Sequence, residues 1–328
     1  MAPLKRSDVS GPGITRKGRG RGFQYSGPDG QPVRDLDTLA RIRALVIPPA
    51  WRDVWISEHP RGHVQATGVD AAGRKQYRYH DDWRSRRDSE KFESMIEFAR
   101  SLPTLRRRVA DDLGGAPLGQ AQVLACATRL LDRGFFRVGS EGYAEENETY
   151  GLATIRKDHV TVSDGIMVFD YNAKGSKRRV QRVDDEDVVD IVGTLKRRRG
   201  GGAELLAFKR GRRWIDVKSA DINAYVKDAS DGDFSAKDFR TWNATVLAAI
   251  ALAVSGEAAD GPKTARKRAA KRAVDEVARY LGNTPAVSKA SYIDPRVFDR
   301  FDGGLTVGGV LPDLLDEDGG WPAIQPTL

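Results

Sequence analysis

Ser235-Ala-Lys-Asp-Phe-Arg-Thr-Trp-Asn-Ala-Thr-Val-Leu-Ala-Ala-Ile-Ala-Leu-Ala-Val254 is the stretch that decides the fold of the larger part of this chain. Ser235 and Asp238 have the spacing of a capping box, in which each side chain accepts from the other residue's backbone N–H at a helix start. The run from Ala244 to Val254 is apolar on every face. A helix of that kind is expected to be buried inside a mainly helical domain. Arg240 sits in its first turns. An arginine there is ordinarily a surface residue, but the free amides and dipole of a helix N-terminus also favour a phosphate.

Working outward, helical spacing predicts helices over Glu90–Ser101, Gly119–Gly134, Asp185–Arg199, Ala220–Lys227 and 264–281. Between the second and third, period-two alternation predicts a three-strand meander: Val160–Val162, Ile166–Tyr171 and Arg178–Arg182. Lys174 lies in its second turn, 172–177. Further upstream, a short helix over Asp37–Leu45 is stopped by Pro48-Pro49, and strands follow at Val54–Ser57, His63–Thr67 and Lys75–Tyr79. Asp70-Ala-Ala-Gly73 reads as the turn of a hairpin that puts Tyr77 and Tyr79 on one face and Gln76 and Arg78 on the other.

The resulting expectation is an α+β chain. Residues 1–22, rich in Pro, Gly, Lys and Arg, read as a flexible basic arm. Gly18-Arg-Gly-Arg-Gly22 lacks the flanking strand and the Lys-Ser/Thr of a phosphate loop. Residues 23–85 form a small β-rich domain, and 86–328 a larger, mainly helical catalytic domain carrying the meander, with the tail after about 300 unassigned. The charged stretch 81–90 connects the two.

Composition narrows the chemistry. Lys and Arg outnumber Asp and Glu 54 to 46, a net charge of +8 and a pI near 9.5, which favours a polyanionic partner. Cys126 is the sole cysteine, in an apolar run; it reads as core filler, excludes an intramolecular disulfide, and points to an intracellular, cytoplasmic protein. No apolar run approaches the roughly 18 residues of a membrane span, and the N-terminus has no apolar signal region. The four histidines are His59, His63, His80 and His159, so the C-terminal half cannot hold a serine–histidine triad or a histidine-ligated zinc site. No metal, nucleotide or other cofactor is expected.

Five residues suit attack on a phosphodiester by a side-chain oxygen. Tyr292 lies in Val287-Ser-Lys-Ala-Ser-Tyr-Ile-Asp-Pro295, Arg137 in Phe136-Arg-Val-Gly139, Lys174 in its glycine-punctuated turn, Arg240 in Lys237-Asp-Phe-Arg-Thr-Trp242, and Asn283 nine residues before the tyrosine. Singly, each has an ordinary reading: a packed tyrosine, a surface arginine, a loop lysine. Jointly they supply a nucleophile, two forked cations, a proton donor and an amide.

These motifs resemble the type IB DNA topoisomerases, and most closely the compact poxvirus-like enzymes of bacteria. The likeness runs through Ile47-Pro-Pro-Ala-Trp51, Gly62-His-Val-Gln-Ala-Thr-Gly68, Gly73-Arg-Lys-Gln-Tyr-Arg-Tyr-His80, Arg137-Val-Gly-Ser-Glu141, Glu145-Glu-Asn-Glu-Thr-Tyr-Gly-Leu152, Lys237–Trp242, Leu281-Gly-Asn-Thr-Pro285 and Ser288–Pro295. Only residues before 18 and after 300 lie outside it. The resemblance implies a monomeric enzyme of the nucleoid that relaxes supercoiled double-stranded DNA without ATP or obligatory metal. Tyr292 would form a 3′-phosphotyrosyl link, Arg137 and Arg240 would hold the nonbridging oxygens, and Lys174 would protonate the leaving 5′ oxygen. Asn283 departs from the histidine of the poxvirus and eukaryotic enzymes and agrees with the bacterial branch; an amide can donate but carries no charge. Gln76, Tyr77 and Tyr79 would enter the major groove, and Tyr143 would also face DNA. His159 would donate to a phosphate or pack near the meander.

Two rivals remain at this stage. Tyrosine recombinases share the Arg, Lys, Arg, Tyr chemistry, but they typically have His-x-x-Arg where this chain has Lys237, and they usually begin with a helical domain. A non-catalytic DNA-binding architectural protein would keep every activity without Tyr292.

Overall fold

Backbone pairing and a few inward apolar residues build the N-terminal part. The computed structural model describes residues 3–259 and 261–310, apart from the side chains of Tyr143, Glu257 and Val310. The chain forms two units, the first up to Phe92 and the second from Glu93 onward.

In the first unit, β1 (Ile14–Arg19), β2 (Gly22–Ser26), β3 (Arg52–Ile56), β4 (Val64–Val69) and β5 (Lys75–Tyr79) make an antiparallel sheet in the order β2-β1-β3-β4-β5. Helix α1 (Leu36–Ala44) contributes Ile42 to a small core with Ile14, Val54, Ile56 and Ala66. Asp35 starts α1 by accepting the Thr38 N–H at 2.8 Å. Asp70 shapes the β4–β5 turn, its Oδ1 accepting the N–H groups of Ala72 and Arg74 at 2.9 and 3.0 Å.

The basic arm is a correction. Residues 14–19, expected to be flexible, are strand β1, which pairs with both β2 and β3. Ahead of it, Lys5 is tied to the segment before β4, its N–H donating to Arg61 O and its carbonyl accepting the His63 N–H. Gly18–Gly22, read as lacking a flanking strand, is the β1–β2 hairpin. Only Ile14 is an apolar residue buried in this hairpin, at 4% exposure. The segment is held by backbone hydrogen bonds, which composition does not report.

The second unit contains most of α2 (Asp81–Leu113), then α3 (Gln120–Gly134), α4 (Glu141–Asn147), β6 (Val160–Ser163), β7 (Ile166–Ala173), β8 (Lys177–Asp184), α5 (Glu186–Arg197), β9 (Ala207–Arg210), β10 (Arg213–Asp216), α6 (Ser219–Ser230), α7 (Ala236–Val254), α8 (Lys263–Leu281), α9 (Pro285–Ser291) and α10 (Pro295–Asp302). The meander has the order β6-β7-β8. The connection at 81–90 is helical: α2 runs through it, laced by pairs such as Arg86–Glu90 at 2.9 Å and Lys91–Asp88 at 3.0 Å.

Helix α3 lies inside the larger core, with Val123, Ala127, Leu130 and Leu131 at most 1% exposed. Cys126 is fully buried there, and burial pushes its thiol pKa up, so it is inert filler. A second core joins α7, α8 and the segment around Ile293. The two cores meet at consecutive phenylalanines. Phe136 enters the first, edge-on to Phe169 at 4.8 Å, while Phe135 enters the second beside Tyr280 at 5.5 Å. Phe135 takes φ 54°, which ends α3 and sends the two rings apart. Helix α7 spans the same seam, with Phe239 in the first core and Ala244, Leu247 and Ala248 in the second. Its capping box forms as read, but its last turn is buried on one side only, with Leu252 1% and Val254 78% exposed.

Phe136→Ala should therefore cost about 3–5 kcal/mol, the range for a large-to-small change at a site that cannot collapse. Urea unfolding of parent and variant measures it; a loss below 1 kcal/mol would mean that the seam does not depend on this ring.

Candidate active site

Helix α8 ends where the seam opens. Gly282 caps it in the left-handed conformation at φ 61°, and Asn283 follows. The last carbonyls of a helix have no partner within it. Here three guanidinium groups take up that role. Arg240 donates to Leu281 O at 3.0 Å and to Phe135 O at 2.9 Å. Arg137 donates to Gly282 O at 3.4 Å and to Asn283 Oδ1 at 2.5 Å. Arg179, on β8, donates to Arg279 O at 3.4 Å and to Tyr280 O. Carbonyls 279 to 282 thus each receive an arginine. Among the described residues none of the three arginines has a carboxylate partner, whereas Arg106–Asp132 at 2.8 Å and Arg129–Asp185 at 2.9 Å are ordinary ion pairs nearby.

Local sequence explains these placements. Arg137 follows the two core phenylalanines, and its carbonyl accepts Leu152 N–H at 2.8 Å. Gly139 and Gly151 lie backbone against backbone; a Cβ on Gly151 would sit 2.4 Å from Gly139 N. That close approach requires glycine at both positions. Arg240 is 4% exposed, one turn into α7 and aimed at the α8 terminus.

Asn283 has a defined orientation. A guanidinium only donates, so the atom facing Arg137 is the amide oxygen. The Nδ2 group is then left buried without a partner. A buried, unused N–H donor beside arginines can take an anion as its partner.

Tyr292 closes this cluster. It ends α9, whose start is set by Thr284 accepting Val287 N–H and by Pro285 in the first turn. Thr245 of α7 fixes the backbone on both sides of Ile293, donating to Tyr292 O at 3.3 Å and accepting from Asp294 N–H at 3.1 Å. The Arg240 guanidinium carbon lies 5.2 Å from the centre of the Tyr292 ring. Burial alone raises the phenol pKa, but Arg240 first, then Arg137 and Lys237, outweigh it and hold the pKa below its ordinary value. The same burial, with Arg137 close by, lowers the pKa of Arg240, which stays charged at neutral pH.

The remaining residues singled out in the sequence lie elsewhere. Lys174 is exposed in the β7–β8 turn and makes no hydrogen bond or ion pair among the described residues. His159 packs edge-on to Tyr150 at 4.5 Å and over Tyr171 at 6.5 Å, against the meander; burial is the largest cause of its lowered pKa. Its Nδ1 accepts the Arg156 N–H, which leaves Nε2 free to donate. Tyr143 lies on α4, and its side chain falls outside the described residues. In the first unit, Tyr77 and Tyr79 stack at 6.0 Å on one face of β5 and are 42% and 39% exposed. Gln76 faces the other way, donating to Asp70 Oδ2 at 2.9 Å.

Three residues escaped the sequence reading. Arg179 and Gln181 alternate with outward residues on β8, and both face the site: the Gln181 amide donates to Gly134 O and accepts the Tyr171 hydroxyl at 2.6 Å. The signal was their shared parity with buried Val183, obscured by Val180 at the opposite parity. Lys237, one turn before Arg240, stands where recombinases have histidine, and its charge acts on Tyr292.

Comparison with known proteins agrees with this architecture. Residues 80–301 match the catalytic core of eukaryotic DNA topoisomerase I, and residues 22–70 match the N-terminal domain of bacterial DNA topoisomerase IB. A DNA topoisomerase 1B of Acanthamoeba polyphaga mimivirus is 30% identical over 288 residues, covering 86% of this chain and 85% of the viral protein. DNA topoisomerase 1 beta of Arabidopsis thaliana is 25% identical over 205 residues, 62% of this chain but 21% of the plant protein. DNA topoisomerase 1 of Schizosaccharomyces pombe is 29% identical over 167 residues, 50% of this chain and 19% of the yeast protein.

The electrostatics make a direct prediction. Difference absorbance of the parent against Tyr292→Phe should show one phenol ionising below pH 10.0. Arg240→Met should move that ionisation upward, because the charge that does most to lower it is lost. An ionisation that stays in place in Arg240→Met would contradict the coupling.

Proposed function

The chain belongs to the type IB DNA topoisomerase family, and from that membership we propose that it relaxes supercoiled duplex DNA by cutting and resealing one strand through Tyr292. The observation that carries this reading is the cluster at the α8 terminus: Arg137, Arg240 and the unpartnered Asn283 amide beside a tyrosine of lowered pKa.

The chemistry balances without an external energy source. The Tyr292 oxygen attacks the scissile phosphorus and loses its proton to solvent. The phosphorus–5′ oxygen bond breaks, leaving a 3′-phosphotyrosyl strand and a free 5′-hydroxyl. Resealing is the reverse attack by that hydroxyl, so the bond energy is kept and ATP has no role. In the five-coordinate transition state, charge builds on the nonbridging oxygens. Arg240 spends two of its five N–H donors on Phe135 and Leu281, which leaves three for phosphate while the carbonyls fix the plane of the fork. Arg137 is arranged in the same way, with Gly282 and Asn283 as its anchors. The Asn283 Nδ2 adds a neutral donor. Two guanidinium groups offset that charge and one amide hydrogen-bonds it, so this set supplies the stabilisation for which other phosphoryl-transfer sites use a divalent ion.

The leaving 5′ oxygen needs a proton, and Lys174 is its source. Its position at the tip of an exposed turn suits a residue that engages only when DNA is bound. Contacts to the duplex come from the stacked Tyr77–Tyr79 pair and Gln76 in the first unit, and from Tyr143 and His159 in the second.

In EDTA and without ATP, the protein should convert supercoiled plasmid to relaxed topoisomers, and Tyr292→Phe should lose this activity while still binding duplex. Relaxation by that variant would remove Tyr292 from the mechanism.

Lys174→Ala should slow cleavage by about 100-fold or more, the scale of general acid catalysis. A substrate with sulfur at the bridging 5′ position expels a thiolate that needs little protonation, so the variant should cleave it at nearly the parent's rate. Arg240→Ala should gain much less from sulfur. Equal impairment of Lys174→Ala on both substrates would make the lysine a positioning group and Arg137 the next candidate acid.

A further inference from the structure

We propose that Arg179 is a positioning residue for the reaction, holding Asn283 where its amide meets the scissile phosphate. This rests on the reading of Tyr292, Arg137, Arg240 and Asn283 given above.

Three observations converge on Arg179. It is the third arginine on the α8 terminus, bonded to the carbonyls of Arg279 and Tyr280, the two that Arg137 and Arg240 do not reach. Its guanidinium lies against Gly282; a Cβ there would stand 2.5 Å from its Nη1. And it is anchored from a different element. On β8 it sits opposite Tyr171 of β7, whose buried hydroxyl is tied to Gln181 at 2.6 Å. Burial, the largest cause, and the charge of Arg137 both lower the pKa of Arg179, so this side chain is kept in a costly place without a carboxylate to compensate it.

The geometry gives the residue a task that neither catalytic arginine can perform. Arg137 and Arg240 hold carbonyls 281 and 282, but their remaining donors must turn to phosphate when DNA binds. Arg179 holds the preceding two carbonyls from the side of the meander and does not need to move. It acts through the α8 terminus and not on the nucleophile: the charges acting on Tyr292 are those of Arg240, Arg137 and Lys237. Strand β8 leaves the turn that carries Lys174. Its Arg179 and Gln181 reach the segments that carry Asn283 and Arg137 respectively. One strand therefore registers the proposed acid, the amide and the first arginine against one another.

The test is a double-mutant cycle on single-turnover cleavage of a duplex at saturating enzyme. Arg179→Met, which keeps the length and removes the donors, should slow cleavage about 10-fold, in keeping with loss of position at a reacting group. Its duplex affinity should stay within about 2-fold of the parent, since a half-buried guanidinium whose donors are spent on helix carbonyls adds no phosphate contact. In an Asn283→Ala background the same change should cost less than about 2-fold, because the group it positions is gone. Arg179→Lys, which restores a charged donor for Tyr280 O, should recover part of the rate and covers the case in which the methionine variant folds poorly. Equal slowing in both backgrounds, or parent-like cleavage by Arg179→Met, would overturn the proposal. Tyr292→Phe measured alongside separates the two layers. If that variant still cleaves, the underlying reading fails; if it is silent while Arg179→Met is unimpaired, only the role of Arg179 fails.

Discussion

The carbonyl end of α8 is the interaction on which the site depends. A helix terminus normally turns its last carbonyls to water or to a cap. At this one, carbonyls 279 to 282 are held by arginines from three elements that are distant in sequence: the segment after α3, strand β8 and helix α7. The negative end of the helix dipole offsets part of the repulsion between the guanidinium groups. It does not neutralise them, and no carboxylate does so among the described residues. The cluster therefore carries an uncompensated charge that a phosphate would complete. Two of the proposed site residues are set directly from that terminus: Asn283 is the next residue after its cap, and Tyr292 follows one short helix later, pinned by Thr245.

Packing supplies the stiffness this arrangement needs. The left-handed Phe135 sends consecutive rings into separate cores, so the backbone that presents Arg137 and the Phe135 carbonyl cannot slide toward either. Helix α7 crosses the same seam and places Arg240 one turn past its capping box. The first unit is built differently. Its small core is set by five buried residues, and it leaves the stacked pair Tyr77 and Tyr79 exposed. Two large rings left in water on a short β-hairpin offer flat, rigid surface at low entropic cost, which suits a partner with exposed bases.

Much of this was legible in the residues, where local physics dominates. The Ser235–Asp238 capping box, the meander with Lys174 in its second turn, the Asp70–Gly73 hairpin and the parity of Tyr77 with Tyr79 all follow from spacing of one to four residues. What stayed hidden was fixed by partners far along the chain. Strand β1 has little apolar character and exists because β2 and β3 pair with it. Helix α2 is the local exception: it extends through a charged stretch that i,i+3 and i,i+4 ion pairs line, although charge alone reads as a connection. Arg179 is one of two adjacent arginines, and its neighbour Arg178 makes an exposed pair with Asp170 at 2.6 Å; the only local sign of which turns inward is parity with Val183, and Val180 at the opposite parity cancels it. The coupling of Arg137 to Asn283 spans 146 positions, beyond the reach of any pattern of spacing.

In the proposed reaction this cluster delivers Tyr292 to a phosphate, and peptide mapping of the covalent adduct formed with a duplex labelled on either end of the cleaved strand tests that step. After denaturation and protease digestion, a nucleotide should be found joined through its 3′-phosphate to the peptide containing Tyr292, with a free 5′-hydroxyl on the released strand. An adduct on another residue, or a 5′-phosphate linkage, would contradict it.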